Sequence, residues 1–192
     1  MHPLSPMSDL GKVRAMNTRQ HGEGIVGRIE AETVIAGVVA GTIMAAMEML
    51  ASLGGGHHLL LPFRYAASVV MSTKAFSAGW ISVLLIGGIV HFSIATMFAF
   101  AFGVFNTQVP WRSRIWGARE ALLGMAFATL IWILDFQVIG RFFYPWMFDH
   151  SQIMQWWLHV VGFGFPLGLL VAARERSPSR VVRPSGGPTV RG

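Results

Sequence analysis

The sequence predicts an all-α membrane protein, a four-transmembrane-helix bundle with a short interfacial segment between the first two helices. Three observations carry that expectation: four long apolar runs, a charged fraction of only 12%, and basic residues gathered on one side of the runs. Charged residues make up about 25% of an ordinary soluble domain. Here the hydrophobic share is 53% and the mean hydropathy +0.53.

A helix needs roughly 20 apolar residues to cross about 30 Å of hydrocarbon. The first run, Thr33 to Leu53 (TVIAGVVAGTIMAAMEMLASL), has that length. The second, Gly79 to Phe105, is long enough to tilt; the third runs from about Trp116 to Val138 and the fourth from about Gln152 to Ala173. Between the first two lies GGGHHLLLPFRYAASVVMSTKAFS, whose apolar stretch is short and broken by Pro62, Arg64 and Lys74. It reads as an interfacial or re-entrant segment and not a fifth span. Gly54-Gly55-Gly56 reads as a helix stop, since no helix opening on Lys-Ser/Thr follows to make a phosphate cradle.

Charge sets the expected orientation. Lys12, Arg14, Arg19 and Arg28, then Arg112, Arg114 and Arg119, then Arg174, Arg176, Arg180, Arg183 and Arg191 fall on one side of an even number of spans. Only Arg64, Lys74 and Arg141 fall on the other. The positive-inside rule places both termini in the cytoplasm of a bacterial inner membrane. Trp111 and Trp116 would then mark the inner interface, and Trp80, Tyr144, Trp146, Trp156 and Trp157 the outer one. Residues 1–32 and 174–192 read as disordered cytoplasmic tails flanking a transmembrane domain over 33–173. The N-terminal tail shows no cleaved signal peptide.

The lipid bilayer is the predicted partner, with anionic headgroups at the basic tails. A net charge of +6, taken alone, suits a nucleic-acid binder. Its confinement to the tails and one loop points to topology instead, so nucleic acid is not expected. No cysteine is present, which excludes disulfides, thiolate metal sites and cysteine nucleophiles. No serine–histidine–acid arrangement marks a hydrolase, and no internal repeat supports the inverted-repeat logic of many transporters.

Ionisable residues inside spans are costly and face the bundle interior. They are Glu48, His91, Glu120, Asp135 and His159. At 100° per residue, Gly37, Gly41, Ala45 and Glu48 share one face of the first helix, where small residues allow close helix packing. Gly87, His91, Ala95 and Ala99 line up on the second helix. Gly117, Glu120, Gly124, Ala128 and Asp135 share a broad face of the third, and Gln155, His159, Gly162 and Pro166 one of the fourth. Depth then predicts a polar cluster of Glu48, His91, Asp135 and His159 in the outer half of the bundle, with Glu48 and His159 as a coupled pair. Glu120, at the cytoplasmic end, reads as a solvated interface residue.

Three readings of that cluster stay open. It could fix helix register, titrate protons, or act as a donor set for a divalent metal through His91, His159, Glu48 and Asp135. His91 and His159 are also a candidate axial pair for haem b. No cofactor is predicted outright. The small-residue faces leave a homo-oligomer or a larger membrane complex open as partners.

Five segments together resemble the YagU-like group of small bacterial inner-membrane proteins: AGVVAGTIMAAMEM, HFSIATMFAFAFG, WGAREALLG, DFQVIGRFFYPW and LHVVGFG. The resemblance covers about Ala36 to Leu170. It implies the same multi-pass architecture, with Glu48, His91 and His159 as family-type intramembrane residues and a link with acid tolerance at most. Where the family tends to carry a histidine late in the third helix, this chain has Asp135.

Overall fold

The computed structural model describes residues 33–109 and 117–175. Residues 1–32 and 176–192 of the basic tails lie outside the described residues, as do Trp111, Arg112, Arg114 and Trp116, while Arg174 and Glu175, expected in the C-terminal tail, continue the last helix. The described residues form helices and turns with no strand. The elements are α1 (Thr33–Gly54), α2 (Leu61–Met71), α3 (Trp80–Gln108), α4 (Ala118–Phe143) and α5 (Gln152–Arg174). All but α2 are long and apolar enough to cross a membrane. The third runs on past its expected end near Val138 to Phe143. At 11 residues, α2 is only about 16 Å long, too short for a span.

Small residues set how the helices meet. A Cβ added to Gly37 would stand 2.8 Å from Ala99 Cβ, and one on Gly41 2.8 Å from Ala95 Cβ, so α1 lies tightly against α3. Ala45, farther along α1, is also buried. The α4–α5 contact is closer still. A Cβ on Gly124 would come within 2.2 Å of the Gly164 carbonyl, and one on Gly168 within 2.1 Å of the Glu120 carbonyl. Gly162 sets α5 against Met44 and Met47 of α1. Fully buried Phe102 and Leu167 fill the centre, among Ala36, Ala40 and Ala99.

The outward faces are apolar. Ile81 and Ile89 on α3, Leu130 on α4 and Ile153 on α5 are 77%, 67%, 59% and 72% exposed. Soluble monomers rarely show contiguous apolar patches of this kind.

The connections are built by specific residues. Gly56, at φ 75°, ends α1 in a left-handed residue. Gly56 N–H bonds the Leu53 carbonyl and His57 N–H the Ser52 carbonyl, the paired bonds of a Schellman motif. Pro62 sits in the first turn of α2, where no N–H is needed. Arg64 then ties the return to α3: its Nη1 donates to the carbonyls of Ala75, Phe76 and Ala78 at 2.7, 2.8 and 3.1 Å. The guanidinium also lies 4.3 Å over the Trp80 ring.

At the opposite end Arg119 is 8% exposed. It donates to Asn106 Oδ1 at 2.6 Å, to the carbonyls of Asn106 and Val109, and to Glu120 Oε1 at 3.1 Å. The expectation of a solvated Glu120 is corrected here. Its side chain is only 13% exposed and ion-paired, at the N-terminal turn of α4 where negative charge is favoured.

Adjacent glycines of α3 give a matched test of this packing. A Cβ on Gly87 would stand 2.2 Å from the Phe63 carbonyl of α2, whereas one on Gly88 meets nothing within 4 Å. Gly87→Ala should lower stability in detergent by about 1–3 kcal/mol, the usual cost of overpacking. Gly88→Ala should leave melting unchanged or slightly raised, since alanine is the better helix former by roughly 1 kcal/mol. Equal melting temperatures for the two variants would show that α2 does not rest on α3 at this point.

Candidate functional site

The α1–α3 and α4–α5 connections lie at the same end of the bundle and bond to each other. Trp146 Nε1 donates to Ser68 Oγ at 2.9 Å, and Ser68 is fully buried. Tyr144 Oη donates to the Val69 carbonyl at 3.4 Å. The Tyr65 hydroxyl hydrogen-bonds His150 Nδ1 at 3.1 Å. These contacts hold α2 across the end of the helices. Beneath it lies a cavity of about 570 Å³.

Glu48, His91, Asp135 and His159 all line this chamber, one from each long helix. The two imidazoles are held alike. His91 Nε2 donates to the Gly41 carbonyl of α1 at 2.9 Å, and His159 Nδ1 to the Gln155 carbonyl one turn back at 2.8 Å. A carbonyl only accepts, so each bond fixes which nitrogen carries the proton and leaves the other as an acceptor. The Phe136 ring meets His159 edge-on at 5.3 Å.

The pairing expected between Glu48 and His159 is absent. The ion pair among the described residues is Arg119–Glu120, and neither Glu48 nor Asp135 has a hydrogen-bond partner among them. The histidines turn to backbone carbonyls, which reach them at shorter range than the carboxylates do. Nor do three His, Asp or Glu side chains among the described residues come together as a group able to hold a metal ion. His91 spends on Gly41 the Nε2 through which it would bind a haem iron.

Two of the four ionisable residues from the long helices stand on π-helical backbone. Asp135 lies in the π segment Ile133–Gly140 of α4 and His159 in Leu158–Gly164 of α5. Pro166 accounts for the second. It has no N–H for the Gly162 carbonyl and its ring crowds that carbonyl, so the preceding turns widen. In α4, a Cβ on Gly140 would stand 2.9 Å from the Asp135 carbonyl, so the widened turn closes on a residue without one. π segments of this kind are frequent at functional sites.

The connections add further residues to the chamber. His57, Tyr65, Asp149 and His150 line it from the connections. His57 stacks on His150 at 5.8 Å, and His58 stacks on Trp80 at 4.1 Å. The Phe142-Phe143-Tyr144-Pro145-Trp146 stretch divides in function. Phe142 and Phe143 are 79% and 68% exposed, as an aromatic belt requires, while Tyr144 and Trp146 are turned onto α2.

The Tyr65–His150 contact generates a pH prediction. Burial pushes the His150 imidazole below its ordinary 6.5 and the neighbouring His57 adds to this, against the opposing pull of Asp149. Burial, and then Asp149, push the Tyr65 phenol up. A depressed histidine binds fewer protons folded than unfolded. Its contribution is therefore complete above pH 6.5 and lost as pH falls through the lower folded value. Detergent melting temperature should fall on acidification below neutrality, and His150→Gln should flatten that acid limb. An acid limb of unchanged steepness in the variant would assign it to other groups. Comparison with protein-family models, with curated proteins and with solved structures gives no match for this chain.

Proposed function

We propose that the chain is a four-span protein of the bacterial inner membrane, both ends cytoplasmic, whose outer-half chamber takes up and releases protons. Glu48 and Asp135 are the carboxyl groups that exchange them, and His91 and His159 the imidazoles beside them. One observation carries the reading. Both carboxyl groups border the cavity without a hydrogen-bond or ion-pair partner among the described residues, while each imidazole keeps one ring nitrogen free.

A purely structural polar cluster would spend these groups on one another. An unpaired charge at the centre of a span costs roughly 3 kcal/mol on insertion scales, and more on an isolated helix. Groups that keep such a cost and border a cavity are the usual material of proton relays. The resemblance to the YagU-like group, with its link to acid tolerance, agrees with this reading. The basic tails fit anionic headgroups on the cytoplasmic side.

Infrared difference spectra of the reconstituted protein, between acid and alkaline buffer, should contain a protonated-carboxyl band. That band should lose intensity in both Glu48→Gln and Asp135→Asn. A spectrum identical in wild type and both variants would remove proton exchange at these residues. For the topology, a reporter active only in the periplasm should stay silent when fused to the C-terminus, and a strong signal would overturn the orientation.

A further inference from the structure

We infer that the chamber binds a lipophilic organic cation, of the quaternary ammonium or phosphonium class, in competition with protons. The inference rests on the reading of Glu48 and Asp135 as free carboxyl groups and adds the ligand they would take.

Charge is the first argument. The carboxyl groups of Glu48, Asp135 and Asp149 border the chamber, and among the described residues no arginine or lysine does. The nearby cations are committed elsewhere. Arg64 is bound to three carbonyls and stacked on Trp80. Arg141 donates to Gln137 and lies over Phe148.

The imidazoles add to this polarity. His159 is only 9% exposed, and its Nε2 has no partner among the described residues. His91 keeps Nδ1 free in the same way. Both rings thus offer lone pairs, not N–H donors, so the deep polar groups accept or carry negative charge. An anion would meet no counter-charge here, and a cation meets several.

The walls select a lipophilic ligand. Phe98, Phe136 and Phe163 line the chamber, and aromatic rings attract a cation; Met44 and Met154 add polarizable side chains that adapt to shape. The cavity volume of about 570 Å³ falls within the roughly 300–1,000 Å³ of drug-sized ligand sites. Met97 also lines the chamber and is 56% exposed on the apolar flank of α3. The chamber therefore reaches the face through which a membrane-dissolved cation would arrive.

The pH dependence has one sign. Acid neutralises Glu48 and Asp135, the carboxyl groups that would pair with the cation. Asp149 and the imidazoles of His91, His159, His57 and His150 face the same chamber, and an imidazole that takes a proton gains positive charge. Tyr65 stays protonated throughout, its phenol raised by burial. Every one of these changes weakens cation binding.

The test is binding of tetraphenylphosphonium to the full chain in detergent, by equilibrium dialysis near pH 8 and near pH 5.5, on either side of the ordinary histidine value. Saturable binding is expected near pH 8, at least about tenfold weaker near pH 5.5, a loss of roughly 1.4 kcal/mol. It should be abolished in Glu48→Gln or Asp135→Asn. Triphenylphosphine oxide, neutral and of similar shape, should not compete. No saturable binding near pH 8, or equal binding of the neutral compound, overturns the inference. Unchanged binding in both variants does the same. Should either variant fail to fold, the wild-type pH shift and the neutral competitor decide alone. A wild-type carboxyl band in the infrared without phosphonium binding would sink this inference and leave proton exchange standing. Absence of the band would sink proton exchange itself.

Discussion

The structure depends on backbone meeting backbone. At Gly87, Gly124, Gly164 and Gly168 the carbonyl of a neighbouring helix occupies the place a side chain would need. In an apolar surrounding there is no hydrophobic gain from bringing leucine to leucine. Helices are held by van der Waals contact over closely approaching backbones, and only small residues permit that approach. Most of the larger apolar side chains are consequently turned outward, and the interior is largely alanine and glycine around Phe102 and Leu167.

That economy of side chains explains where the chamber lies. The tight crossings of α4 and α5 run from Gly124 against Gly164 toward Glu120 against Gly168, the end where Arg119 closes off α3. Toward the other end the small residues give way to Met44, Ile131, Phe136 and Phe163, which cannot pack as closely. There α2 serves as a cross-piece, resting on Gly87 and bonded to the opposite connection through Ser68 and Tyr65. The widened turns of α4 and α5 fall in the same half and carry Asp135 and His159.

The long helices and their small-residue faces were legible in the sequence because both rest on local properties. Hydropathy over about 20 residues reports a possible span, and a 100° step reports a face. Glu48, His91, Asp135 and His159 could be assigned to inward stripes on that basis. Their bonding partners could not. Whether His159 turns to Glu48 or to the Gln155 carbonyl depends on ångström-scale placement that periodicity does not encode. The π segments escaped for a related reason: a uniform 100° step has no room for a widened turn. Only Pro166 gave a local sign of one. Glu120 was misjudged because solvation was inferred from position along the span, whereas Arg119 folds back over the end of α3 and takes Glu120 with it.

The two ends of the bundle treat charge in opposite ways, and the contrast is the strongest argument that the chamber is more than a packing feature. At the Arg119 end a buried guanidinium is tied to Asn106, Val109 and Glu120, with only Nε unbonded. A charge so partnered can be kept in place because its removal from water is offset at the site. At the chamber end Arg64 is directed to three backbone carbonyls, while Glu48 and Asp135 have no cation partner among the described residues. Departures from local satisfaction concentrate at functional sites, because a group already bonded has nothing left to offer a proton or a ligand. Two unpartnered carboxyl groups and two imidazoles with one nitrogen left over border one cavity, and of these Asp135 and His159 stand on widened helix turns.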